Sequence, residues 1–164
     1  MLNLDYLAGF FDGEGCVHFY IGKSSRSSFG VRVRVSLTIA QKHDEILRKI
    51  RDFLGFGAIY RDSGYCRYVV NSSRNVLRFI ELMADKVILK RDELFLAKEV
   101  IECFPKSGTP MTRERMLTIL EKIKRYREII GRKQAHHYNL DKAIDDIRKM
   151  IASNTVFKIT LEHV

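Results

Sequence analysis

The stretch LAGFFDGEG, residues 7–15, places two carboxylates and three glycines within nine positions. Apolar residues at helical spacing surround it, so Asn3 can cap a short helix that runs through Phe11 and ends at the glycines. Asp12 and Glu14 then lie at the helix C-terminus, where the peptide dipoles disfavour a carboxylate by roughly a few tenths of a kcal/mol. A bound cation would offset this cost. Magnesium suits such a site, because it often uses one or two carboxylates and completes its shell with water and phosphate oxygens.

Two small residues, Ala8 and Gly9, lie in the middle of this predicted helix. A glycine there costs up to about 1 kcal/mol relative to alanine. Small side chains allow another helix backbone to come close, and packing within the chain would explain the pair if it stood alone. Together with the two acids at the helix end, the pair favours contact with a second helix.

Two hairpins and two helices are predicted after the first helix. Apolar and polar residues alternate along two segments on either side of a polar loop, which predicts a hairpin with a buried face and a polar, basic face. Strands are predicted at residues 16–22, 31–39, 57–62 and 65–71, and helices at residues 43–54 and from Ser72 or Ser73. This order predicts an α+β fold with an αββαββα core, whose four-stranded antiparallel sheet is covered by helices on one face and free on the other.

The rest of the chain is predicted to be helical. Helices are expected at residues 91–103, 116–130 and 140–151, and the tail VFKITLEHV is expected to be strand or coil. The break around Pro105 and Pro110 is too short for a convincing interdomain linker. We therefore expect one domain over residues 1–164, with a core of about residues 1–104 and a C-terminal helical extension of about residues 105–164.

Charge and composition narrow the function. The chain has 164 residues and a net charge of +9, which favours a polyanionic partner, with nucleic acid ahead of a membrane surface. No apolar stretch is long enough to span a membrane, and the N-terminus lacks the basic region of a signal peptide, so we expect an intracellular protein. The three cysteines are far apart, which favours reduced thiols over a zinc site.

The first hairpin carries basic residues without any acidic ones. No Asp or Glu occurs between Gly15 and His43, whereas five Lys and Arg residues do. A solvated positive face is the ordinary explanation for a basic run. A run on a sheet, with acids directly before and after it, favours contact with nucleic acid.

The stretch LAGFFDGEG resembles the motif that names the LAGLIDADG homing endonucleases, and the predicted element order through residue 84 matches the core of that family. The resemblance implies that Glu14 binds a divalent metal, Mg²⁺ or Mn²⁺, aided by the backbone carbonyl of Gly13. It also implies that Gln41 orients water and that Lys90 stabilises the charged transition state. No small-molecule cofactor is implied.

Since the chain has one such motif, the resemblance implies a homodimer that cleaves both strands of a long pseudo-palindromic DNA target in intron homing. The residues expected at the dimer interface are Leu7, Ala8, Gly9, Phe11 and Asp12. The residues expected to contact double-stranded DNA are His18, Tyr20, Lys23, Arg26, Arg32, Arg34, Ser36, Thr38, Lys42, Tyr60, Asp62, Arg67, Arg132 and Lys133. Related enzymes often carry a further basic residue soon after the glutamine, and here either Lys42 or His43 could serve.

Two other classes of protein are considered. A nucleic-acid-binding protein on the same fold, such as an intron maturase or a transcription regulator, would not need Glu14, because an acid that faces phosphate repels it. A structural protein that uses LAGFFDGEG only for helix packing would leave the acid-free basic hairpin unexplained. The sequence therefore favours the endonuclease.

Overall fold

The computed structural model describes residues 2–25, 27, 29–106, 108–129 and 139–161, without the side chains of residue 129 and residues 154–161. The chain forms two compact units. The first comprises the residues up to Tyr20 together with Arg34–Ile101, and the second comprises Ile21–Val33 and the described residues from Glu102 onward. None of the described helices combines the length and the apolar character needed to cross a membrane. The prediction of one domain over residues 1–164 stays a prediction.

The order of the elements confirms the predicted α+β fold and its αββαββα core. In chain order the elements are α1 (Leu4–Glu14), β1 (Gly15–Lys23), β2 (Val31–Gln41), α2 (Glu45–Leu54), β3 (Ala58–Asp62), β4 (Tyr65–Val70), α3 (Ser73–Met83), α4 (Arg91–Glu102), α5 (Arg113–Ile129) and α6 (Leu140–Leu161). The helices α4, α5 and α6 follow the core, as expected.

The four strands form an antiparallel sheet in the order β1-β2-β4-β3. The central strands β2 and β4 come from different hairpins, with Leu37 opposite Val70. Alternation places Leu37, Ile39 and Tyr68 in the core, each no more than 2% exposed. Side chains of the other parity lie on the opposite face, which the helices leave free.

Three helices of the first unit bury their apolar faces. The side chain of Asn3 caps α1 by accepting the N–H of Tyr6 at 2.8 Å, and Phe11 packs on Phe79 of α3 with ring centroids 4.9 Å apart. On α2, the helical spacing of apolar residues predicts that Phe53 faces the core with Ile50 and Leu54, but 45% of the Phe53 surface is exposed. The described neighbours Ile50 and Leu54 are buried, and they fill the core-facing side of that helix.

The second unit contains α5 and α6. Ile119 and Ile123 of α5 and Ile144 and Ile147 of α6 are buried. The helix α6 runs to Leu161, so the prediction of strand or coil for the tail was wrong over those residues. Its β-branched residues favour a strand, but a segment that continues an existing helix avoids the cost of nucleating a new one.

Tyr68 connects β4 to the turn before β3. Its hydroxyl donates a hydrogen bond of 2.8 Å to the carbonyl of Phe56, and its ring fills the space where a Cβ on Gly57 would lie. Burial raises the pKa of Tyr68, so the hydroxyl remains a donor. We expect Tyr68→Phe to lower the free energy of unfolding by about 1–3 kcal/mol, because the Phe56 carbonyl loses its buried partner. Denaturant unfolding measures this, and Tyr60→Phe at an exposed position is the control that should change little.

Candidate active site and nucleic-acid interface

The end of α1 presents Glu14 to solvent. Leu7 and Phe11 anchor the helix in the core, and its last turn closes where the N–H of Gly15 bonds to the Phe11 carbonyl. A Cβ on Gly15 would lie 2.3 Å from the Phe11 ring, so only glycine permits this close passage from helix to strand. Within the described part of the chain, the exposed carboxylate of Glu14 makes no hydrogen bond or ion pair. It is available to a ligand.

Asp12 has a different environment from Glu14. One of its carboxylate oxygens accepts the backbone N–H of Ile88 at 2.7 Å, and the other accepts that of Lys90 at 3.1 Å. The ammonium of Lys90 in turn donates to the Asp12 carbonyl oxygen at 2.8 Å. Lys90 therefore lies at the same end of α1 as Glu14, although 76 positions separate the two residues in the sequence.

Gln41 lies at the same end of the sheet. It ends β2, and Gly15 begins the neighbouring strand β1. Three residues in from these ends, His18 Nε2 and Thr38 Oγ1 are 2.8 Å apart, so the two strand ends lie side by side. The half-buried side chain of Gln41 makes no hydrogen bond to the described residues. The structure thus brings the three predicted catalytic residues, Glu14, Gln41 and Lys90, to the junction of α1 and the sheet.

A charged cluster follows Gln41. One carboxylate oxygen of Asp44 accepts hydrogen bonds from Arg48, at 2.9 Å to Nη2, and from Arg61 of β3. These hydrogen bonds, first that of Arg61 and then that of Arg48, hold the pKa of Asp44 below its usual range. Lys42 and His43 are exposed and keep their positions as candidates for the extra basic residue.

The free face of the sheet carries most of the residues expected to contact DNA. We call this set the reading face; within the first unit it comprises His18, Tyr20, Arg34, Ser36, Thr38, Tyr60, Asp62 and Arg67. Lys23 and Arg32 are exposed on the hairpin segment of the second unit. Arg26, Arg132 and Lys133 lie outside the described residues.

Arg67 occupies the middle of the second hairpin on the reading face. It lies opposite Ala40 on one side and Tyr60 on the other. Its guanidinium pairs with Asp62 and lies 5.7 Å from the centre of the Tyr65 ring. Tyr65 was not among the predicted contacts, although the period of two along β4 places it on the same face as Arg67. The arrangement orients a planar donor group toward the free side of the sheet.

The predicted interface on α1 needs correction. Leu7, Ala8 and Phe11 are at most 1% exposed, because they fill the core of the protomer itself, and the carboxylate of Asp12 is bonded to backbone. The side chains of Leu7, Ala8 and Phe11 have no surface for a second copy, whereas the half-buried Asp12 stays a predicted contact. Of the five, Gly9 stays exposed.

A different set of α1 residues forms its outer face. We call Tyr6, Gly9, Phe10 and Gly13 the α1 stripe, because residues three and four apart lie on one side of a helix. A Cβ on Gly9 or Gly13 would have no described atom within 4 Å. Nothing in the part of the chain that the structure describes therefore requires glycine at these two helical positions. The sequence could have placed Gly13 on the same face of α1 as Gly9, because the two glycines are four residues apart.

The described residues of one protomer hold no group of three or more His, Cys, Asp or Glu that could bind a metal. Glu14 and the adjacent carbonyl of Gly13 supply oxygen donors, which suit magnesium or manganese better than zinc. A site built on them needs further oxygen ligands from outside the protomer. Water and phosphate oxygens complete such a shell around magnesium.

Sequence comparisons show which known proteins this chain resembles. The sequence profile of the LAGLIDADG endonuclease family matches residues 7–91. The DNA endonuclease I-CvuI of Chlorella vulgaris is 30% identical over 112 residues, which cover 66% of this chain and 70% of that protein.

Solved structures show the same fold. The homing endonuclease I-CvuI, crystallised with the I-CreI target in the presence of Mg, superposes with a TM-score of 0.78 at 21% identity, covering 89% of this chain and 92% of that chain. The archaeal intron-encoded homing endonuclease I-Vdi141I, crystallised with DNA, gives a TM-score of 0.77 at 23% identity, covering 89% of this chain and 94% of that chain.

Proposed function

The chain belongs to the LAGLIDADG endonuclease family and is a DNA endonuclease of the homing type, and on that premise we propose that two copies assemble through α1 to cut both strands of a pseudo-palindromic duplex. The observation that carries the proposal is the exposed Glu14 carboxylate, which is unpaired among the described residues and lies at the same end of α1 as Lys90, with Gln41 at the adjoining end of β2. The two compact units would act as one endonuclease domain.

The second copy is inferred from the α1 stripe. Two exposed glycines in one helix cost about 1 kcal/mol each relative to alanine, and close approach of another backbone would explain them. Ile88 and Leu89, 82% and 77% exposed, add apolar surface at the end of α1, where Asp12 fixes their segment. A two-fold axis along this surface would bring two Glu14 carboxylates together. It would thereby complete the oxygen ligands that one protomer lacks.

A divalent cation, magnesium or manganese, would be held by Glu14 and the Gly13 carbonyl, and when bound it would polarise the scissile phosphate and the attacking water. The residues of the chain do the remaining work. The free amide of Gln41 would orient water by hydrogen bonding. The ammonium of Lys90, which spends one N–H on the Asp12 carbonyl, would stabilise negative charge at the phosphate with its others.

The reading face would lie in the major groove. Two neighbouring β-strands fit that groove, and Arg34 and Arg67 offer guanidinium groups suited to the O6 and N7 of guanine. Relatives I-CvuI and I-Vdi141I were crystallised with DNA, which supports DNA as the partner of this face.

The function is tested with the wild-type protein and a library of randomised duplexes. Duplexes that bind in calcium are recovered, sequenced and then exposed to magnesium. We expect cleavage of both strands at one position of a pseudo-palindromic sequence. Specific binding without cleavage in magnesium or manganese would contradict the proposal and favour the binding protein.

Arg34→Ala should relax sequence preference. Arg34 is exposed on β2 and has no hydrogen bond to the described residues, so its guanidinium is free to contact a base. We expect a loss of discrimination of about 1–3 kcal/mol at one base pair in each half-site. Binding to matched and singly substituted duplexes measures this. Equal weakening on every duplex would contradict a base contact, and Arg74→Ala, on exposed α3, is the control.

A further inference from the structure

We propose that Asp12 is a positioning residue for Lys90: its carboxylate fixes the backbone of residues 88–90 to the last turn of α1, so that the Lys90 ammonium is held next to Glu14. The inference rests on the proposed function of Lys90. It assigns Asp12 neither to the metal nor to the contact with a second copy.

Hydrogen bonds join Asp12 to the segment of residues 88–90. Both oxygens of the Asp12 carboxylate are used, one for the N–H of Ile88 and one for that of Lys90. Lys90 closes the ring by donating its ammonium to the Asp12 carbonyl. Asp12 in the last turn of α1 and the segment of residues 88–90 thus hold each other at three points. Bonds to a charged acceptor are about twice as strong as those between neutral groups.

Side-chain packing holds the segment of residues 88–90 only at its ends. Val87 before it and Leu94 after it are buried, at 3% and 0% exposure, whereas Ile88 and Leu89 are almost fully exposed. Side-chain packing therefore cannot set the backbone between them. Among the described residues, the N–H of Leu94 bonds to the Lys90 carbonyl at 3.0 Å, and the Asp12 carboxylate holds the N–H groups of Ile88 and Lys90.

The Lys90 ammonium also compensates the charge at the end of α1. A carboxylate at a helix C-terminus is unfavourable by itself. Here the Lys90 ammonium lies on a carbonyl of that same turn, so a positive charge faces the negative end of the dipole. The Asp12 carboxylate holds the segment that brings this charge. Its position at the helix end is thus explained without a metal.

The same helix offers a matched control. Asp5 also binds the connection between α3 and α4, through an ion pair of 2.6 Å with Lys86. However, 76% of the Asp5 side chain is exposed, and its partner is a side chain instead of backbone. Exposed pairs of this kind contribute little. Asp5→Asn therefore removes an equal charge from α1 and breaks an ion pair to the same connection. The hydrogen bonds from Asp12 to the backbone N–H groups, which we call the backbone clamp, stay in place.

The test compares Asp12→Asn with Asp5→Asn. The asparagine has the shape of aspartate but one acceptor oxygen, so one of the two N–H groups loses its partner. We expect amide hydrogen exchange at Ile88 and Lys90 to rise at least tenfold in Asp12→Asn and to stay unchanged in Asp5→Asn. For cleavage, we expect kcat to fall by about 10- to 100-fold, because small misplacement of a catalytic group is costly. KM, the magnesium requirement and the dimer fraction should stay unchanged.

A double-mutant cycle separates positioning from other roles. If Asp12 acts through Lys90, then Asp12→Asn combined with Lys90→Met cuts no more slowly than Lys90→Met alone. Rate losses that multiply, a raised magnesium requirement or a shift to monomers would each overturn the proposal. Unchanged exchange at both amides would overturn it as well. If the wild type does not cut DNA, the proposed function fails, and the exchange result alone decides whether the clamp exists.

Discussion

Glu14→Gln should reduce DNA cleavage by at least about a thousandfold and leave DNA binding intact. The substitution removes the only carboxylate at this end of α1 that is free among the described residues, since that of Asp12 is bonded to backbone. Glutamine keeps the size and polarity of the side chain but lacks the negative charge with which a carboxylate binds a divalent cation. Cleavage in magnesium and binding in calcium are measured on the same duplex.

The stability of this variant is an independent check. Glu14 has no described partner and lies at the unfavourable end of the helix dipole, so the neutral side chain should raise the free energy of unfolding by roughly 0.3–1 kcal/mol. Loss of activity with equal or higher stability excludes unfolding as the cause. Glu81→Gln, at an exposed position of α3, is the control and should cut normally. Normal cleavage by Glu14→Gln would remove this carboxylate from the mechanism.

Gly9→Leu should convert the protein to monomers and reduce cleavage by at least about a hundredfold, because a two-fold contact meets the added side chain twice. The distance between packed helices depends on the side chains at their contact, and glycine permits the closest approach. A Cβ at Gly9 would have no described atom within 4 Å, so the new side chain has room within the protomer. Leucine also favours the helix over glycine by about 1 kcal/mol. The protomer should therefore stay folded.

Sedimentation velocity, thermal unfolding and cleavage are measured together on this variant. Lys49→Leu is the matched control, since it adds the same side chain to an exposed position of α2. It should stay dimeric and active. A Gly9→Leu protein that still dimerises and cuts would rule out α1 as the contact.

The fold followed from local patterns in the sequence. The cap at Asn3, the alternation along β1 and β2 and the glycine at residue 55 each determine structure within a few residues, and the structure confirms them. The left-handed backbone of Gly55, with φ of 74°, ends α2 at the residue where the apolar periodicity stops.

The site was only partly predictable. The partners of Asp12 are backbone N–H groups far along the chain, and every residue except proline has such a group, so no residue type marks them in the sequence. The interface prediction was wrong for Leu7, Ala8 and Phe11 because an apolar pattern marks a helix face for burial without saying whether its own chain or another copy covers it. Ile88 and Leu89 belong to the proposed interface only, and the sequence did not indicate them, since two apolar residues in a short connection fit no periodic pattern.

Asp44 has a practical consequence for handling the protein. A carboxyl group with a lowered pKa gives stability that is complete above its ordinary pKa of about 3.9 and is lost only as the pH falls through the lower value of the folded state. The ties from Asp44 to Arg48 and Arg61 should therefore persist on a cation-exchange column at about pH 5, where a protein of pI 9.6 binds strongly. Mildly acidic purification buffers should leave the connection between β2 and α2 intact.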